Sequence, residues 1–298
     1  MERLPTLKQL QYLQAFAQFR HFGRAAQSLG VTQSTLSAGL QELEDIVGSP
    51  VIERSTRQAT LTPAGETLTK CAAQMLANLR DVLTDIREQA TPLSGSLRLG
   101  VIPTISAFLL PRLLPGLRQR YPSLKLYLIE AQTADLMEQL DRGELDILLL
   151  ALPCICHGTS EVLARDDFVA VVPKTHPLAV ETEVSASQLK QHSLLTLQDG
   201  HCLRDQILSA CRFSSSGDDR HAATSLHTLV QMVDNGLGIT LLPQLAIKAG
   251  LLNGTQLVTR PIAGRQAYRD LALLWRTGAS RAEEFWLLAK EFKKLLKL

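Results

Sequence analysis

The sequence predicts an α/β protein with an N-terminal winged helix-turn-helix, a long linker helix and a two-lobed α/β domain. Three observations predict it. Apolar residues at helical spacing lead into a polar hairpin pattern before residue 63. An uninterrupted amphipathic helix pattern follows, and beyond residue 95 strand-like and helix-like segments alternate. A chain of 298 residues has room for about two domains.

Leu7, Leu10, Tyr12, Leu13 and Phe16 recur at helical spacing, and Gly23 to Leu29 and Thr32 to Val47 are two further helical pieces. Ala25 and Ala26 permit close helix contact, Gly30 suits a sharp left-handed turn, and Thr32 suits a helix cap. Leu36, Leu40 and Leu43 form an inward stripe, leaving Gln33, Ser34, Thr35 and Ser37 at the exposed helix start. Such side chains hydrogen-bond base edges and phosphates. Pro50 to Arg54 and Ala59 to Thr62 flank a polar turn, so Arg54 and Arg57 sit as a wing placed to grip phosphates. A purely structural helical hairpin is the rival, and the wing with its following helix argues for DNA.

Residues 64 to about 90 read as one helix. Its apolar positions Leu68, Ala72, Met75, Leu79, Val82 and Ile86 step by 4, 3, 4, 3 and 4, a heptad seam. The expected use is dimerisation; the alternative is packing on its own domain. Thr91 to Gly95 is a linker. The predicted domains are therefore 1–62, DNA-binding; 63–92, linker and dimerisation helix; and 93–298, the regulatory region.

In the last region Ser96 to Ile102, Leu124 to Glu130 and Asp146 to Ala151 read as strands, separated by helices Ile105 to Tyr121 and Ala134 to Arg142. That order implies a parallel sheet. Further strands are expected at Phe168 to Pro173, Leu194 to Leu197, His221 to Thr224, Ile239 to Leu242 and Asp270 to Arg276. Helices are expected from about Cys202, over Leu226 to Asn235, and over Arg281 to Leu298. Two such lobes meet at a cleft, where ligands of these folds sit.

Composition narrows the function classes. Hydrophobic residues make up 45% and charged residues 20%, ordinary globular values that argue against disorder or a fibre. The longest apolar run, Ile147 to Cys156, is ten residues with a proline, against about 20 for a spanning helix. The N-terminus shows no apolar signal core, so a cytoplasmic location is expected. The net charge of +2, from 31 basic and 29 acidic residues, means that any basic surface is local. The five cysteines, at 71, 154, 156, 202 and 211, are too few and scattered for a disulfide scaffold.

Cys202 follows Gly200-His201 and opens a helix, with Arg204 and Asp205 close behind. A helix start, His201 and Arg204 favour a thiolate, while Asp205 opposes it or accepts a hydrogen bond; the expectation is a lowered thiol pKa. Cys211 lies nine residues on, about 13 Å along a continuous helix, beyond the roughly 7 Å a disulfide tolerates. Bonding the two requires the helix to unwind, and the polar stretch Ser214 to Asp219 offers slack. Cys154, Cys156 and His157 form a C-x-C-H cluster, readable as part of a metal site, as a second redox site or as hinge cysteines; the hinge is favoured because a structural metal needs about four ligands. Cys71, beside the seam, is placed to cross-link a dimer or to pack in a core, and core packing is expected.

The stretch FGRAAQSLGVTQSTLSAGLQELEDIVGSPVIERSTRQATLTPAGE resembles the winged helix-turn-helix of LysR-type transcriptional regulators, and the resemblance extends over the chain. It implies an effector domain resembling periplasmic binding proteins, a homotetramer on inverted-repeat promoter DNA, and contact with RNA polymerase. LQDGHCLRDQILSAC resembles the signature of the hydrogen-peroxide-sensing branch of that family. By that resemblance Cys202 is the peroxidatic cysteine and Cys211 resolves it. It also implies that Thr104, Thr133, His221 and Arg276, with His201 and Asp205, surround the peroxide. No cofactor or metal is implied. Two rivals remain: a regulator of this family that binds a small organic inducer in the cleft, and a thiol peroxidase enzyme. The DNA motif argues against the enzyme.

Overall fold

The computed structural model describes residues 3–54, 59–87, 92–211, 222–263 and 267–296. It divides into two compact units, Met1–Ala90 with Asp141–Glu144, and Thr91–Leu140 with Leu145–Leu298.

In the first unit, helix α1 spans Leu7–Phe19, α2 Phe22–Ser28 and α3 Gln33–Val47. Thr6 caps α1 reciprocally: Gln9 N–H donates to Thr6 Oγ1 and Thr6 N–H donates to Gln9 Oε1. Gly30, at φ +65°, makes the left-handed turn between α2 and α3, and Thr32 Oγ1 accepts from Thr35 N–H at 3.2 Å. Leu13, Phe16, Ala25, Ala26, Leu36, Leu40 and Leu43 close the core. Strands β1, Ile52–Arg54, and β2, Ala59–Leu61, pair antiparallel as the wing. Glu44 holds the wing to α3, its Oε1 accepting from Val51 and Ile52 N–H at 2.9 and 3.0 Å.

Helix α4, Pro63–Arg87, is continuous. Its seam is divided. Ala72 packs with Leu10 and Leu76, and Leu68 packs on the helix-turn-helix core, so this end serves its own unit. Met75, Leu79 and Val82 are exposed, as is Leu83. The side chain of Ile86 lies outside the described residues. Cys71, expected in a core, is exposed: the helix turns Ala72 and Ala73 inward instead.

The second unit is α/β. Strand β3, Gly95–Val101, leads to α5, Pro103–Arg120; β4, Leu124–Glu130, to α6, Thr133–Asp141; and then comes β5, Ile147–Leu152. Next are β6, Thr159–Pro173, α7, Ala186–Leu189, β7, Thr196–Leu197, α8, Cys202–Cys211, β8, Ala222–Ala223, and α9, Leu226–Asp234. The chain ends with β9, Thr240–Pro243, α10, Gln244–Lys248, β10, Leu257–Arg260, β11, Tyr268–Trp275, and α11, Ala282–Leu296. The main sheet runs β10-β6-β11-β5-β3-β4, with β9 also on β6.

The three strands expected to be parallel, β3, β4 and β5, are so, and the sheet as a whole is mixed. β3 pairs parallel with β4 and β5, whereas β11 pairs antiparallel with β5 and β6. Parallel neighbours need a crossover of a dozen or more residues. Helices α5 and α6 provide it for β3, β4 and β5, whereas β11 enters between β5 and β6 and runs opposite to both. The first half of β6, with its polar Thr159 to Asp167, had no strand-like apolar run, yet it pairs with β11. No helix among the described residues is long and apolar enough to cross a membrane.

Candidate functional site

Two surfaces carry the chemistry. The first is the start of α3. Gln33, Ser34 and Thr35 are exposed, and Ser37 is half-buried. The Thr32, Ser34 and Thr35 hydroxyls share hydrogen bonds of 2.9 and 2.7 Å around the cap. Completely buried Leu36, Leu40 and Leu43 fix the helix from below. The first turn therefore presents short polar side chains on a rigid support. Arg57 and the side chain of Arg54 lie outside the described residues.

The second is a pocket lined by Ile102, Pro103, Thr104, Gln132, Thr133, Gly200, His201 and Cys202. It has room for about one water-sized molecule. Three helix starts converge on it, those of α5, α6 and α8, and each offers unpaired backbone N–H groups and a positive dipole end. Ile102, the N-cap of α5, supplies no side-chain cap. Gly200, at φ +90°, lets the turn before α8 close down, since a Cβ there would lie 2.2 Å from Gln132 Oε1.

Beneath the pocket is a buried ionic network. Arg269, fully buried in β11, has Nε 3.0 Å from Asp166 Oδ2. Its Nη1 donates to Thr104 Oγ1 at 2.9 Å and its Nη2 to Thr104 O at 3.1 Å. Asp166 Oδ1 accepts from Leu245 N–H at 2.8 Å. Because Thr104 Oγ1 accepts from Arg269, its own proton is free to point elsewhere. Thr133 Oγ1 is buried and meets the geometry of no hydrogen bond, yet it stands close enough to Cys202 to pull the thiol pKa down.

Cys202 departs from expectation. Burial pushes its thiol above the ordinary value. Thr133, the Arg269 guanidinium and Leu203 N–H pull it down and Asp205 adds to the rise; the net direction is up. The cations named from sequence are not the ones that act. Burial lowers the His201 pKa, so the imidazole is neutral at pH 7. Arg204 pairs with Asp199 at 3.2 Å. Asp205 is exposed.

Arg276, expected at the pocket, is elsewhere. It is buried, with Nη1 donating to Leu140 O and Leu145 O at 2.9 and 2.8 Å. Arg269 and Arg276 stand seven residues apart at opposite ends of β11, about 23 Å along a strand, so only Arg269 reaches the pocket. An arginine beside the apolar run Leu271 to Trp275 was the signal that could have identified it. Thr104, Thr133 and His201 do meet Cys202 in one place. His221 and the Cys211 side chain lie outside the described residues; the α8 backbone is helical through Cys211. Gln206, not singled out from sequence, ties α8 to the end of β5, its Nε2 donating at 3.0 Å to both Ala151 O and Pro153 O. Among the described residues no group of His, Cys, Asp and Glu is arranged to hold a metal, so the C-x-C-H cluster does not form one there.

Residues 7–66 match the bacterial regulatory helix-turn-helix protein, lysR family, and residues 90–295 the LysR substrate binding domain. The chain is 40% identical over 298 residues to a "Probable hydrogen peroxide-inducible genes activator" of Streptomyces viridosporus, covering 99% of this chain and 96% of the relative. It is 38% identical over 298 residues to the "HTH-type transcriptional regulator EstR" of Acinetobacter baylyi, covering 99% and 98%. Among solved structures, a cysteine-to-serine mutant of Corynebacterium glutamicum OxyR with hydrogen peroxide bound superposes with a TM-score of 0.68 at 36% identity, covering 100% of this chain and 94% of that one.

Proposed function

From the premise that this chain belongs to the LysR family of transcriptional regulators, in its hydrogen-peroxide-responsive OxyR branch, we propose that it detects peroxide by oxidation of Cys202 and transmits the change to bound DNA. The observation that carries the reading is the small pocket over Cys202, ringed by three helix starts and two threonine hydroxyls. Its size suits peroxide and is far below the several hundred cubic ångströms of an organic-ligand site, so this pocket fits the oxidant and not an organic inducer.

In this mechanism the Thr104 and Thr133 hydroxyls orient the peroxide and the Cys202 thiolate attacks one of its oxygens. The S–O bond forms, the O–O bond breaks, and the departing hydroxide takes a proton to become water. The helix starts and Arg269 favour the negative charge at both ends of this transfer. The resulting sulfenic acid condenses with Cys211 into a disulfide, releasing a second water. Since α8 runs unbroken from Cys202 to Cys211, that bond requires its unwinding, and this is the switch. The peroxide acts as a signal, not as a substrate turned over. Sensing belongs to residues 93–298, DNA contact to 1–62 and dimerisation to 63–92. The working assembly is a homotetramer on inverted-repeat DNA in the cytoplasm, where it contacts RNA polymerase.

Thiol trapping and mass spectrometry across a brief peroxide pulse test the reading. Cys202 is expected to be modified first. Because its thiol pKa is raised, the thiolate fraction grows as pH rises, and the oxidation rate increases up to about tenfold per pH unit between pH 6 and 8. A rate already level at pH 6 overturns the burial-raised thiol pKa, and another cysteine oxidised first overturns the sensor reading. Seam function is tested with Leu79→Glu. Burying a charge between two α4 helices weakens the dimer on the order of 100-fold or more in sedimentation. Unchanged assembly assigns exposed Met75, Leu79 and Val82 to another role.

A further inference from the structure

The C-x-C cluster is absorbed neither by a metal nor by the Cys202–Cys211 switch. Gln206 lies one helical turn after Cys202, on the same face of α8, and grips the carbonyls of Ala151 and Pro153. The segment that begins at Pro153 is thereby held along the face that carries Cys202. Cys154, Cys156 and Cys202 are partly buried against the same core cluster. Cys156 Sγ reaches Cys154 O at 3.5 Å, and the charge of Cys202 is felt at Cys154. All three are free thiols. Between Cys154 and Cys156, Ile155 is fully exposed and packs on nothing, so the turn can shift without disturbing the core.

Building on the sensor reading, we propose that Cys154 is a second resolving thiol for Cys202, closing a Cys202–Cys154 disulfide that leaves α8 helical. The Cys154 sulfur attacks the Cys202 sulfenic sulfur, an S–S bond forms and the S–O bond breaks, and the Cys154 proton leaves with the hydroxyl as water. Peroxide, consumed in forming the sulfenic acid, is the only oxidant. Burial, with Cys156 and Cys202 beside it, pushes the Cys154 thiol far up, so at rest it stays protonated and does not compete for peroxide. Two disulfides then divide the response. Cys154 meets the sulfenic acid with α8 intact and shields it from sulfinic acid formation, while Cys211 waits for α8 to unwind.

The full-length Cys211→Ser protein is pulsed with peroxide, alkylated and mapped by mass spectrometry. The expected product is a Cys202–Cys154 disulfide with unchanged helix content by circular dichroism. The Cys202 sulfenic acid, trapped with dimedone, should live at least about ten times longer in Cys154→Ser/Cys211→Ser than in Cys211→Ser. Cys156→Ser/Cys211→Ser should keep the disulfide, and Cys154→Ala/Cys211→Ser should repeat the serine result. Equal sulfenic-acid lifetimes with Cys154 fully alkylated overturn the second resolver and leave the sensor standing. No sulfenic acid at Cys202 in any variant overturns both.

Discussion

Replacing Cys202 with serine is expected to abolish the change that peroxide produces in the DNA footprint. A serine hydroxyl fills the same place between Gly200, Thr133 and Ile102 but has no thiolate form near neutral pH, so no sulfur attacks the peroxide and no disulfide follows. The loss is complete at peroxide levels that saturate the wild type, and the variant stays in its reduced footprint with its melting temperature nearly unchanged. Arg269→Met provides the companion test. It removes the buried guanidinium that pulls the Cys202 pKa down and leaves Asp166 uncompensated, so it slows Cys202 oxidation and destabilises the regulatory unit together. A Cys202→Ser protein that still switches its footprint would transfer the sensor role to Cys154 and Cys156 or to an organic inducer.

Ser34→Glu is expected to abolish operator binding. The new carboxylate stands in the first turn of α3, on the exposed surface assigned to DNA, where like-charge juxtaposition with phosphate costs several kcal/mol and affinity falls by at least roughly 100-fold. An acid in the first helical turn suits the helix dipole, so the fold is retained and lost binding cannot be ascribed to unfolding. A gel shift shows the loss, and the peroxide chemistry of Cys202 proceeds as in wild type. Undiminished affinity would mean that another element reads the operator.

Much of the DNA-binding unit was legible in the sequence because its signals are local. Thr32 caps the helix it precedes, Gly30 makes the turn beside it, and Leu36, Leu40 and Leu43 mark the inward face through spacing alone. The division of α4 was not legible. A heptad pattern states which residues share a stripe, not what lies opposite, and α1 takes Ala72 while Met75 and Leu79 stay exposed. The parallel order of β3, β4 and β5 was legible, and the antiparallel place of β11 was not, for a related reason: strand direction depends on which strands become neighbours, and β11 inserts between β5 and β6 from more than 90 residues away along the chain.

At the proposed sensor, the sequence by itself determined the thiol at position 202, the start of α8 there, and the nine-residue separation of Cys202 from Cys211 along the helix. These follow from chain-local geometry. Only the tertiary structure decided the electrostatics. Whether a thiol pKa rises or falls depends on how much water the fold removes and on which charges it brings near, and sequence neighbours are poor guides to either. Arg204, two residues from Cys202, turns to Asp199, and His201, adjacent to it, is neutralised by burial. Arg269, 67 residues away in β11, is the cation that acts on the sulfur, because the sheet brings that end of the strand beneath the pocket with Asp166 and Thr104 to hold it.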